Sequence, residues 1–135
     1  MLPIKSIMTT NVITVKPDTL IFDAMQLLVK HKISGLPVVD DEMRLVGILT
    51  EKDVLQLLVN EDITYKDTVM HYMTKKVVSF SENDSAIQVC QFLQKSHIRR
   101  VPIVKDGKLI GIVSRRDIIA LILEAKGKIA EYRFS

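Results

Sequence analysis

The chain is written twice. Residues 8–58 read MTTNVITVKPDTLIFDAMQLLVKHKISGLPVVDDEMRLVGILTEKDVLQLL, and residues 73–123 read MTKKVVSFSENDSAIQVCQFLQKSHIRRVPIVKDGKLIGIVSRRDIIALIL. Identical residues fall in order: Met8 with Met73, Leu28 with Leu93, Ile33 with Ile98, Pro37 with Pro102, Gly47 with Gly111, Ile48 with Ile112 and Asp53 with Asp117. The offset is 65 at the methionines and 64 at the glycines, because one turn is a residue shorter. Ile4 and Val69 each precede the methionine by four positions, so the lead-ins repeat too. A duplication of this length confines the chain to a fold made of two like units. It divides into a first repeat at 1–60, a linker with a lead-in helix at 61–72, a second repeat at 73–124 and a tail at 125–135.

Each repeat reads as strand, helix, strand, strand, helix. The β-rich runs Ile13–Val15 and Val77–Phe80 come first. Pro17-Asp18-Thr19 and Ser81-Glu82-Asn83-Asp84 look like helix starts, each with a capping side chain and an acid. Leu20, Ala24, Leu27 and Leu28 then fall at helical spacing, as do Val89, Phe92 and Leu93. A hairpin follows, with Leu36–Val39 and Leu45–Leu49 around a polar turn; in the second repeat Asp106-Gly107 favours a type I′ turn. A last helix begins after Thr50 or Ser114, and the second of these is apolar nearly all round, from Ile118 to Leu123. Such a helix needs cover on several sides, from its own core and from another subunit, so a homodimer is expected. The tail continues this helix as a charged stretch.

The junction from hairpin to last helix carries the chemistry. It reads Gly47-Ile48-Leu49-Thr50-Glu51-Lys52-Asp53 and Gly111-Ile112-Val113-Ser114-Arg115-Arg116-Asp117. A hydroxyl sits where a helix begins, where free N–H groups and the helix dipole favour a phosphate. An aspartate three residues on can accept both hydroxyls of a ribose. Thr50 with Asp53 and Ser114 with Asp117 therefore suit a ribose-phosphate. A hydroxyl followed by Asp is also an ordinary helix cap, and the two roles are compatible. The repeats differ in charge: Arg99, Arg100, Arg115 and Arg116 surround the second junction, where the first has Ser34, Gly35, Glu51 and Lys52. Guanidinium forks bind phosphate well, so the second repeat is expected to be the stronger phosphate site.

Composition removes other classes. His31, His71 and His97 are scattered and Cys90 is alone, so neither a metal site nor a disulfide is expected. No P-loop, GxSxG or HExxH motif occurs, and no catalytic cofactor or enzyme activity is implied. A net charge of +3 and 5% aromatics give little for nucleic acid to bind, beyond the second-repeat arginines. The start, MLPIKSIMTTN, lacks a signal peptide's apolar stretch, and the longest apolar run is the six residues Ile118–Leu123, so a cytoplasmic protein without membrane contact is expected.

These motifs resemble CBS domains, and their pairing resembles a Bateman module. The carriers are MTTNVITV, SGLPVVD and GILTEKD in one copy, and MTKKVVSF, RRVPIVK and GIVSRRD in the other. The resemblance implies an α/β fold with the two repeats packed by three-stranded sheets about a pseudo-twofold axis. It implies a regulatory sensor that binds AMP, ADP, ATP or S-adenosylmethionine and changes conformation or assembly. Asp53 and Asp117 would hold the ribose, and Thr50 and Ser114 the ribose or phosphate. Ile13-Thr14 with Pro37, and Val78-Ser79 with Pro102, would lie against adenine. In a similar member of this family, a kinase regulatory subunit, Arg or His at the positions of Arg99 and Arg100 grips phosphates. Such modules often dimerise into a flat disk. A ligand-free dimerisation module is the alternative, and nucleic-acid binding a second.

Overall fold

The computed structural model describes residues 3–60, 64 and 66–134, with side chains described as far as residue 127. Helix α1 is Ile21–His31, strand β1 Gly35–Val39, strand β2 Leu45–Thr50 and helix α2 Glu51–Val59. The second repeat gives strand β3 Phe80–Ser81, helix α3 Ala86–Lys95, strand β4 Arg100–Lys105, strand β5 Lys108–Ser114 and helix α4 Arg115–Phe134. The fold is mixed α/β, and the duplication carries through to buried positions. Helix α1 buries Ile21, Ala24 and Leu28, and α3 buries their counterparts Ala86, Val89 and Leu93.

The hairpins form where the sequence places them. β1 pairs antiparallel with β2, Leu36 opposite Leu49 and Pro37 opposite Ile48. Asp106 and Gly107 have φ of 52° and 78°, positive at both central positions as a type I′ turn requires.

The first strand is shorter than expected in both copies. β3 pairs in parallel with β4, Phe80 opposite Ile103 and Ser81 opposite Val104. In the first repeat Ile13–Val15 is reduced to one bridge between Val15 and Val38, so that sheet has two strands and not three. Val15 N–H donates to Pro37 O at 3.1 Å, and Val39 N–H donates to Val15 O at 2.9 Å. The next donor in such a ladder would be residue 17, which is Pro17 and has no N–H.

The helix starts also differ from expectation. Thr19 Oγ1 accepts from Lys16 N–H at 3.0 Å within a turn, and α1 begins later, at Ile21. Its N-cap is Leu20, which offers no side-chain acceptor, and the Asp67 carbonyl takes the Ile21 N–H at 2.9 Å. In the second repeat Asp84 Oδ2 accepts from Ser81 N–H at 2.7 Å, again in a turn. The cap of α3 is Ser85, which exchanges bonds with Gln88. Polar residues ahead of a helix serve a tight turn as well as a cap.

Two compact units result, and their membership does not follow the sequence order. One comprises Met1–Asn11, Ser79–Lys105 and Ile110–Ser135; the other comprises Val12–Val78 and Asp106–Leu109. The core of the first unit combines Ile4, Ile7 and Met8 with Val89, Leu93, Val101, Ile103 and Val113. The core of the second combines Val69, Tyr72 and Met73 with Ile21, Leu28, Leu36, Val38 and Leu49. Each lead-in therefore packs on the hairpin of the other copy.

Glycine makes the crossing feasible. Thr9 bridges Ile112, with N–H to O distances of 2.8 and 3.0 Å, and Thr74 bridges Ile48 at 2.8 and 2.9 Å. A Cβ on Gly111 would stand 2.6 Å from Met8 Sδ, and one on Gly47 would stand 2.7 Å from Met73 Sδ. The repeated glycines thus mark close backbone approach. Beside the second crossing, Tyr72 donates its hydroxyl to Asp67 Oδ2 at 2.7 Å. That bond holds the Asp67 carboxyl below the usual carboxylate range and pushes the Tyr72 phenol above its ordinary value.

Candidate functional site

The same small structure recurs at both hairpin-to-helix junctions. Thr50 ends β2 in extended conformation and caps α2. Its Oγ1 accepts from Asp53 N–H at 3.3 Å, and Asp53 Oδ2 accepts from Thr50 N–H at 2.9 Å. Ser114 and Asp117 repeat this exchange at 3.2 and 2.8 Å. This is a capping box with aspartate as the reciprocating acid. Capping commits one carboxylate oxygen, Oδ2, to the backbone in each copy.

The helix ends are less open to anions than a bare terminus. The first N–H of α2, at Glu51, donates to Ser34 O at 2.9 Å, and Arg115 N–H donates to Arg99 O at 2.9 Å. The third N–H of each goes to the capping hydroxyl. An anion here depends on side chains more than on the helix end alone.

The four arginines separate by environment. Arg115 lies exposed in the first turn of α4, and its Nη2 donates to Ser96 O at 2.7 Å, tying down the loop after α3. Arg116 and Arg99 are exposed. Arg100 opens β4 and is half-buried, and its Nε is enclosed without a hydrogen-bond partner. A shielded guanidinium donor without an acceptor is costly, and an anion would relieve it. The corresponding residue of the first repeat is Gly35, where a Cβ would stand 3.3 Å from Leu49 O.

The remaining candidates sit on or beside the sheets. Pro37 lies within β1 and Pro102 within β4, both buried. Ile13 and Thr14 are half-buried in the extended stretch before Val15; Val78 is exposed and Ser79 half-buried just before β3. Within its own unit, each junction thus has its hydroxyl and acid in direct contact.

One residue escaped sequence reasoning. Thr74 Oγ1 lies 3.2 Å from Asp53 Oδ1 and 3.3 Å from Oδ2. Gly47 was the available signal, since a glycine inside an apolar strand announces a crossing chain. Among the described residues no three His, Cys, Asp or Glu side chains gather as a metal site, and no helix is long and apolar enough to cross a membrane.

Known proteins share this architecture. The inosine-5'-monophosphate dehydrogenase of Aquifex aeolicus is 40% identical over 114 residues, which make up 83% of this chain and 23% of that enzyme. The chain therefore spans less than a quarter of that relative. The crystal structure of CBSX2 in complex with AMP, a protein of Arabidopsis thaliana, superposes with a TM-score of 0.83 at 33% identity, covering 93% of this chain and 99% of that one. The CBS domain pair of protein MJ0100, solved with methylthioadenosine and S-adenosyl-L-methionine, gives 0.79 at 32% identity, with coverages of 93% and 98%. A family profile described as CBS domain matches residues 4–60 and again 69–124. Because the two matches take in most of the sequence, the chain belongs to the CBS-domain family and carries the domain as a tandem pair.

Proposed function

We propose that this CBS pair is a regulatory module that reversibly binds an adenine nucleotide or S-adenosylmethionine and performs no catalytic step. Asp53 and Asp117 would accept the ribose hydroxyls, Thr50 and Ser114 would meet ribose or phosphate, and Ile13, Thr14, Pro37, Val78, Ser79 and Pro102 would contact the base. The repeats are taken as 1–60 and 73–124, joined by a linker at 61–72 and followed by a tail at 125–135. One observation carries the reading: the hydroxyl–acid exchange recurs at both junctions, with Asp117 Oδ1 outside it and Asp53 Oδ1 engaged only by the Thr74 hydroxyl. The CBSX2 complex with AMP and the MJ0100 complex with S-adenosylmethionine support the ligand class.

Phosphate is assigned to the second repeat. Arg99, Arg100 and Arg116 supply charge there, and the enclosed Nε of Arg100 supplies a donor in want of an acceptor. Arg115 is partly committed to Ser96 O and contributes mainly field. Sensing follows if the ligand binds two conformations or assemblies unequally. The exposed Ile119, Ile122 and Leu123 on α4 suit a second copy, so a homodimer in the cytoplasm is the expected working form.

The test is a thermal-shift and calorimetric screen against AMP, ADP, ATP and S-adenosylmethionine. A ligand at a hundred times its dissociation constant adds about 2.7 kcal/mol of stability. Asp117→Asn is expected to lose more AMP affinity than Asp53→Asn. Equal affinity in both variants and wild type would refute the ribose assignment. Sedimentation of a dimer with no response to any ligand would favour a purely structural module.

A further inference from the structure

Asp53 and Asp117 occupy the same place in the two repeats, yet their carboxylates are not equally free. Asp117 Oδ2 accepts from Ser114 N–H at 2.8 Å, and its Oδ1 takes no bond from any described residue. Asp53 Oδ2 likewise accepts from Thr50 N–H, at 2.9 Å, but the Thr74 hydroxyl lies across both of its oxygens at 3.2 and 3.3 Å. Backbone geometry holds that hydroxyl in place. Thr74 exchanges two hydrogen bonds with Ile48, and Met73 before it lies against Gly47. Thr9 is fixed to Ile112 by the same pair of bonds, but its hydroxyl makes no bond to Asp117.

A vicinal diol brings two O–H donors and asks the carboxylate for two free lone-pair directions. At Asp117 it finds a whole oxygen. At Asp53 it meets a hydroxyl already shared between both oxygens, and must displace it. We propose that Thr74 is a specificity-determining residue of the first repeat, whose hydroxyl competes with a ribose for Asp53 and makes that acid the weaker nucleoside acceptor. This rests on the reading of the two aspartates as ribose acceptors. Surrendering one hydrogen bond to a charged, half-exposed acceptor corresponds to about tenfold in affinity.

The experiment is isothermal titration of the full chain with AMP. The proteins are wild type, Thr74→Val, Thr74→Ser and Thr9→Val, each checked for folding by circular dichroism. Thr74→Val keeps the shape and removes the hydroxyl, so the weaker dissociation constant is expected to fall about tenfold while the tighter one stays put. Thr74→Ser restores the hydroxyl and is expected to behave as wild type; Thr9→Val is expected to change neither site. Adding Asp53→Asn to Thr74→Val is expected to abolish the gain, which a merely structural role for Thr74 would not produce. If the valine variant unfolds, Thr74→Ala serves in its place. Binding with an unmoved or weakened second constant in the hydroxyl-less variant overturns the competition and leaves the nucleotide reading intact. An absence of AMP binding to every protein overturns both.

Discussion

Gly111→Ala sets a small gain against a larger loss. Alanine in a strand restricts the unfolded chain, which on its own stabilises by about 0.4–1 kcal/mol. Gly111 has no positive φ, so backbone strain adds nothing. Space decides the sign. The new methyl would stand 2.6 Å from Met8 Sδ, 2.9 Å from Met8 Cγ and 3.0 Å from the Thr9 carbonyl oxygen. The thioether can swing aside, since methionine is the most adaptable of core side chains. The carbonyl cannot move without stretching the paired bonds between Thr9 and Ile112, at 2.8 and 3.0 Å. Overpacking of this kind costs about 1–3 kcal/mol, and weakening two backbone hydrogen bonds adds to it. The net expectation is a loss of about 2 kcal/mol, read by urea unfolding followed by circular dichroism. In a Met8→Ala background the sulfur clash is gone and only the carbonyl contact remains. The cost of Gly111→Ala is then expected to shrink by about 1 kcal/mol, a coupling a double-mutant cycle measures. A Gly111→Ala protein as stable as wild type, or a cost identical in both backgrounds, would refute the crossing of the N-terminal lead-in over β5.

Gly127→Ala is expected to do the opposite. Gly127 lies in α4 with nothing within 4 Å of an added Cβ, so alanine should stabilise by about 0.5–1 kcal/mol, seen as a raised Tm. The Tyr72–Asp67 bond makes a two-sided prediction for pH. Asp67 titrates lower in the folded chain than in the unfolded one, so its contribution is present above the ordinary carboxylate range and is lost as pH falls through the depressed value. Tyr72 titrates higher when folded, so its contribution is present below the ordinary phenol value near 10 and is lost as pH rises through the elevated one. Tyr72→Phe is expected to lower stability at neutral pH and to flatten both flanks of the stability–pH curve. Unchanged flanks in chemical denaturation across pH would count against the bond.

Much of the architecture was legible because it is stated twice. The hairpins, the Asp106-Gly107 turn and the burial of Ala24, Leu28, Val89 and Leu93 follow from spacing, whereas Leu20, placed on the same helical face, is the exposed N-cap of α1 and Ile21 takes the buried position. The helix starts were misplaced because Thr19, Ser81 and Asp84 serve turns as readily as caps, and only backbone geometry separates the two uses. The missing strand at Ile13–Val15 was hidden in Pro17, which breaks the ladder from outside the strand. At the site, the pairing of Thr50 with Asp53 and of Ser114 with Asp117 was local in sequence and therefore visible. The commitment of Arg115 to Ser96, the enclosure of Arg100 Nε and the reach of Thr74 to Asp53 all join residues distant in sequence or depend on burial, and spacing cannot report them.

The exchange of lead-ins means that neither half of the sequence is a self-sufficient folding piece. A proteolytic nick in the connector would leave one fragment holding Ile4, Ile7 and Met8, which complete a core it does not otherwise possess, and the other holding Val69, Tyr72 and Met73 in the mirror predicament. The fragments would be expected to regain structure by reassociating with each other. By the same logic, a single copy on its own would close its interior only by lending its first residues to a twin and borrowing the twin's in return.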